Sequence, residues 1–147
     1  MISFHRALFS CGPLFVFVGA FFAGWPFPGV AIGLAVSLGW NAWLWWRGTW
    51  RAVELALLAA FAIMVLSFAL PVPALARHAW SVLSGCLAIG IAASVLFRRP
   101  WTAELCGLDP TSRTTSAAFI AIHRGLSTLW AGLFAWLAVT LGLAAAP

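Results

Sequence analysis

The chain carries very little charge. Three acidic and eight basic residues make up 7% of its 147 positions, while 64% are hydrophobic. Too few polar side chains exist to coat a water-soluble globule, so lipid is the expected solvent. Lysine is missing altogether. The arginines stand singly or in pairs, and without a continuous basic stripe to neutralise successive phosphates, nucleic-acid binding is not expected. The longest polar stretch, Arg98 to Thr115, is too short to fold by itself, which argues against a second, soluble domain. Cys11, Cys86 and Cys106 have no metal-ligand spacing. Two of them fall in apolar stretches, so disulfides are not expected either. No nucleophile beside a base, no paired carboxylates and no metal cluster are visible. The chain therefore reads as a non-enzyme without a cofactor. Low-complexity segments and the inverted halves of a transporter are also missing.

What is present is a series of five apolar stretches, near Ala7 to Trp25, Pro28 to Trp46, Ala52 to Leu70, Ala79 to Phe97 and Ser116 to Leu143. A helix rises about 1.5 Å per residue, so roughly 20 apolar residues match a hydrocarbon core of about 30 Å. The expected fold is an all-α membrane protein: a single transmembrane domain over residues 1–147, built as a five-transmembrane-helix bundle. An alternating path with the amino terminus inside places Arg6, Arg47, Arg51, Arg98, Arg99, Arg113 and Arg124 on the cytoplasmic side and only Arg77 outside. The positive-inside bias thus predicts a multi-pass protein of a bacterial inner membrane, amino terminus cytoplasmic and carboxyl terminus periplasmic. The first stretch is expected to stay uncleaved, because no small-x-small site follows it and Trp25-Pro-Phe-Pro leads straight into another apolar segment. Almost no hydrophobic region precedes Cys11, which argues against a lipoprotein site.

Trp25-Pro-Phe-Pro-Gly29 reads as a tight extracytoplasmic turn, forcing the first two spans into a hairpin. The second span carries Gly29, Gly33, Ala35 and Gly39, and Ala31, Ala35 and Gly39 recur every four residues, predicting a face that lets backbones approach closely. Trp40, Trp43, Trp45 and Trp46 gather at its cytoplasmic end, as an interfacial aromatic belt does. Pro71-Val-Pro73 ends the third span. After Arg98, Arg99 and Pro100, the apolar positions Trp101, Leu105 and Leu108 suit a short interfacial helix between spans four and five. Asp109-Pro110 has the form of an N-cap and first helical residue.

Among the polar residues, Arg51 and Glu54 are three apart at the start of the third span and can pair on one helix face. Glu54 is the carboxylate nearest membrane depth, where an ionisable residue is a functional candidate by default. Arg47, Arg51, Arg98, Arg99, Arg113 and Arg124, with Thr102, Glu104 and Asp109, predict a basic rim able to attract lipid phosphate or an acidic partner. His123, Ser127, Trp130 and Phe134 share a face of the last span. Asn41, at similar depth, is expected to join His123 and Ser127, because a buried amide needs a partner. A bilayer haem would need two histidines at matching depth. His78 belongs to the outer end and His123 to the inner, and for His5 with His123 interfacial hydrogen bonding is the simpler reading.

The sequence Arg51-Ala-Val-Glu54 entering the third span, Arg99-Pro-Trp-Thr102 leaving the fourth, and His123-Arg-Gly-Leu-Ser-Thr-Leu-Trp130 in the fifth resemble a family of small bacterial five-span membrane proteins of uncharacterised function. The layout is similar, more remotely, to the intracellular septation protein A family, whose members are linked to the cell envelope and division. Against the former family's pattern, Trp101 stands for the usual Phe, Glu104-Leu-Cys-Gly107 for a Tyr-Ala-Arg-Glu-like stretch, and His123 for an Asn. The resemblance implies an architecture, not a reaction.

Two functions are therefore expected of this chain. The first is a non-catalytic inner-membrane protein acting through helix–helix contacts with other subunits or with itself, as an accessory subunit or envelope component. The second is a binding or transport module for a lipid or hydrophobic molecule, with Asn41, Arg51, Glu54, Arg99, Thr102, His123, Ser127 and Trp130 around a cytoplasmic-side cavity.

Overall fold

A computed structural model describes residues 4–70, 77–106 and 116–146, with side chains from Ser10 onward. Pro71, Pro73, Gly107, Leu108, the Asp109-Pro110 cap, Arg113 and Thr115 lie outside the described residues, as do the side chains of His5 and Arg6. Among the described residues every element is a helix: α1 (Phe4–Phe22), α2 (Pro26–Trp46), α3 (Ala52–Ala69), α4 (Ala79–Leu96), a short α5 (Trp101–Leu105) and α6 (Ala117–Ala144). Among the described residues α2, α3, α4 and α6 are long and apolar enough to cross a membrane, and α1 has a shorter apolar run, Ser10–Phe22. The chain is thus compatible with a multi-pass membrane protein.

The turn between the first two helices differs from its expected form. Pro26 and Pro28 do not make a loop. They open α2 behind Trp25, in the first turn, where a missing N–H has no helical acceptor to lose. The reversal happens two residues earlier, at Gly24 (φ 78°), where the Trp25 N–H reaches back to the Ala20 carbonyl at 2.8 Å. The same left-handed ending closes α2 at Gly48 and α4 at Arg98.

Helices pack in chain order, α1 on α2, α2 on α3, α3 on α4 and α4 on α6, with α5 wedged against α6, α1 and α4. Phe17, Val30, Leu57, Phe61, Met64, Leu83, Leu87 and Ile91 form the core that α1 to α4 share. Close approach comes from glycine, on a face of α2 other than the expected one. A Cβ on Gly33 would lie 2.6 Å from the Phe61 ring, whereas one on Gly39 would meet nothing within 4 Å. The buried row is Gly29, Gly33, Ser37 and Asn41, and Ala35 and Gly39 point outward. Both rows have the same four-residue spacing. Phe61 filling the Gly33 notch decides between them.

The last helix is different. With 28 residues it is about 42 Å long, well beyond a hydrocarbon core of about 30 Å, yet only His123 and Ser127 are buried along it. At the end that holds Arg77, the Ser81 hydroxyl of α4 donates to the Ala138 carbonyl at 2.6 Å.

Candidate functional site

Polar side chains concentrate where α2 and α4 end and α3 begins, and they form two knots. The first ties α1, α2 and α3 together. Glu54, in the first turn of α3, is 2% exposed, and its Oε1 accepts from the Ser10 hydroxyl of α1 at 2.6 Å. Arg51, just ahead of α3, reaches the same oxygen through its guanidinium at 3.5 Å. The Trp40 indole N–H of α2 also faces this carboxylate. A buried carboxylate is tolerated only when it is paired and hydrogen-bonded, and here three helices supply the partners. Asn41 adds a second tie, its amide donating to the Ser37 carbonyl at 2.9 Å and to the Glu54 carbonyl at 3.2 Å. The expected link from Asn41 to His123 and Ser127 does not form, because α2 packs on α1 and α3 and the amide finds its acceptors there.

The second knot docks α5 on its neighbours. A short helix leaves its first N–H groups without internal acceptors. The Trp101 N–H is taken by the Ser94 hydroxyl of α4 at 3.1 Å, and the Thr102 N–H by the Ser127 hydroxyl of α6 at 3.3 Å. The Thr102 hydroxyl donates to the His123 carbonyl at 2.9 Å and lies 3.1 Å from Ser127 Oγ and 3.0 Å from His123 Nδ1. Because its single proton goes to the carbonyl, every contact is satisfied when Ser127 and Nδ1 both donate to Thr102. That assignment places a proton on Nδ1 of His123.

Between the knots, Arg99 Nε lies 3.3 Å from Glu104 Oε1. The Arg51–Glu54 and Arg99–Glu104 pairs are neighbours, since Arg51, Arg99 and Glu104 line one crevice with Trp50, Ser94 and Phe97. Its volume, about 10 Å³, is room for a single water. A second void of about 50 Å³ lies among Ser10, Cys11, Leu14, Val53, Leu57, Leu87, Trp101 and Phe134. The Trp101 indole N–H is buried without an acceptor among the described residues.

Of the eight sequence candidates, Asn41, Arg51 and Glu54 meet in the first knot and Thr102, His123 and Ser127 in the second, with Arg99 between them. Trp130 stands apart, 40% exposed and stacked on Phe134. Ser10 and Ser94 are members that sequence reasoning did not single out. Their only signal is a hydroxyl inside an apolar run, and it gives no partner. Among the described residues no three His, Cys, Asp or Glu side chains gather as metal ligands. His78 and His123 fall at opposite ends of their antiparallel helices.

A separate feature lies on the outer face of α2. Val36, Gly39, Trp40 and Trp43 line an open groove of about 520 Å³. The two indoles are stacked, 4.8 Å apart and 17° from parallel, and the Arg47 guanidinium sits 4.8 Å above the Trp43 ring. Comparison of the chain with protein-family models, curated proteins and solved structures finds no significant match.

Proposed function

We propose that this chain is a five-span protein of a bacterial inner membrane, amino terminus cytoplasmic, that acts without catalysis through lateral contacts with other membrane subunits or copies of itself. The observation that carries this reading is the exposure of α6. Ala121, Gly125, Thr128, Gly132 and Ala135 follow one another at spacings of four and three along it, and all are exposed. Association of helices in lipid relies on small residues that let backbones approach, and among the described residues no helix of this chain lies against Gly125 or Gly132 of this row. The polar knots support the same reading from the other side. Most of their donors and acceptors serve one another, with Ser37 Oγ and the Trp101 indole N–H as exceptions among the described residues, and the gap between the two ion pairs admits a water molecule rather than a lipid headgroup.

Mild solubilisation of native membranes followed by quantitative mass spectrometry tests this. A stoichiometric partner or a homo-oligomer is expected, together with its loss on Gly132→Leu, which places a side chain in the middle of the row. Recovery of the wild-type chain as a lone monomer, with Gly132→Leu behaving identically, would count against the proposal.

A further inference from the structure

The groove on α2 has both parts of a phospholipid site on one helix face. Val36, Trp40, Trp43 and Arg47 follow one another at spacings of four, three and four, so they form a single stripe that runs from mid-helix to the arginine-rich end. Gly39 lies beside the stripe, and the missing side chain opens the notch; a Cβ there would meet nothing within 4 Å. The stacked rings of Trp40 and Trp43 give the notch a flat, rigid wall. At about 520 Å³ it falls within the usual range of ligand sites, about 300–1,000 Å³.

The mouth of this apolar slot carries a positive charge. Arg47 is exposed and folded over Trp43, and among the described residues no carboxylate lies within ion-pair distance of it. Arg51 and Arg99, by contrast, each have a glutamate. A cation with no counter-ion among the described residues, set at the arginine-rich end above an apolar slot, complements a molecule with an anionic head and an acyl tail.

We infer that the α2 groove is a binding site for one anionic diacyl phospholipid, its phosphate on Arg47 and one acyl chain laid over Trp43 and Trp40 into the Gly39 notch. The site is independent of the α6 surface, and a chain that proved to be a lone monomer would still bear it.

Native mass spectrometry of the full-length chain, titrated with phosphatidylglycerol and with phosphatidylcholine of the same acyl chains, tests the assignment. One saturable phosphatidylglycerol adduct is expected, about fivefold tighter than phosphatidylcholine, the factor that one arginine near an anionic head supplies. Arg47→Gln should bring the two lipids level. Gly39→Leu should weaken both while leaving the thermal unfolding temperature unchanged, because the added side chain has only the groove to enter. Should Gly39→Leu fail to fold, Trp43→Leu removes the stacked wall and is expected to weaken both lipids in the same way. Arg77→Gln, at the other end of the bundle, should change neither. Equal binding of the two lipids by the wild-type chain would overturn the site, as would a phosphatidylglycerol preference that survives Arg47→Gln.

Discussion

Arg98 terminates α4 in a left-handed conformation (φ 58°), the position that Gly24 and Gly48 hold at the ends of α1 and α2. An L-residue with a Cβ costs about 1–2 kcal/mol there. The strained residue turns the chain so that Arg99 and Pro100 face inward, where Arg99 meets Glu104. Arg98→Gly should therefore raise the unfolding free energy in detergent by about 1 kcal/mol, after the extra freedom of glycine in the unfolded chain is subtracted. A lower stability would mean that the Arg98 side chain makes contributions that outweigh its backbone strain. Thr102 carries the opposite expectation. Its hydroxyl joins His123, Ser127 and the α6 backbone, so Thr102→Val leaves Nδ1 of His123 and Oγ of Ser127 without their acceptor and should destabilise by about 2 kcal/mol. Thr128→Val is the comparison, because the Thr128 hydroxyl only bonds back to Arg124 of its own exposed helix turn, and a change within about 0.5 kcal/mol is expected. Equal losses for the two variants, read by thermal or denaturant unfolding in one detergent, would remove Thr102 from its role as the latch of α5.

At the scale of helices, the contact between α3 and α4 depends on Gly90. A Cβ there would fall 2.5 Å from Ala56 Cβ and 3.1 Å from the Ala52 carbonyl, so any side chain must push two backbones apart. Gly90→Val should cost about 2–3 kcal/mol by overpacking, while Gly85→Ala, whose new methyl meets Ala138 at 3.8 Å, should be near neutral. Unfolding measurements on the pair check this, and an indifferent Gly90→Val would show the two helices to be loosely associated. These contrasts were not legible in the sequence. The existence of α2, α3, α4 and α6 was, because length and apolarity mark a spanning helix whichever way it faces. Facing is a different matter. A helix that is apolar all round carries no stripe to mark its inner side. The Ala31-Ala35-Gly39 row and the Gly29-Gly33 row then look alike until Phe61 is known to fill one of them. Likewise, Trp25-Pro-Phe-Pro signalled a chain reversal but not that its prolines belong to the helix.

Across the whole molecule, the candidate site was legible where it is local and hidden where it is not. Arg51 and Glu54 announce their pairing through helical spacing, but Ser10 lies 44 positions from Glu54 and Thr102 lies 21 from His123, and only the packing order of the helices brings them together. That packing order also gathers charge. Alternating helices bring Arg47, Arg51, Arg98, Arg99 and the first third of α6, with Arg124, to one end and leave Arg77 at the other. Guanidinium groups resist translocation, so the proposed topology has the crowded end in the cytoplasm. The proposed topology needs a fifth crossing from α1, whose 19 residues span about 28 Å but whose apolar run is only Ser10–Phe22. Single cysteines introduced into a cysteine-free chain, probed in intact cells with a membrane-impermeant maleimide, separate the cases. Cysteines at Gly24 and Ala146 should label from outside, and one at Thr49 only after permeabilisation. An amino-terminal tag should be protected from external protease. External access to the tag together with labelling at Gly24 would mean that α1 lies against the bundle without crossing, and Ser10 would then bond Glu54 from a helix that enters the membrane only part-way.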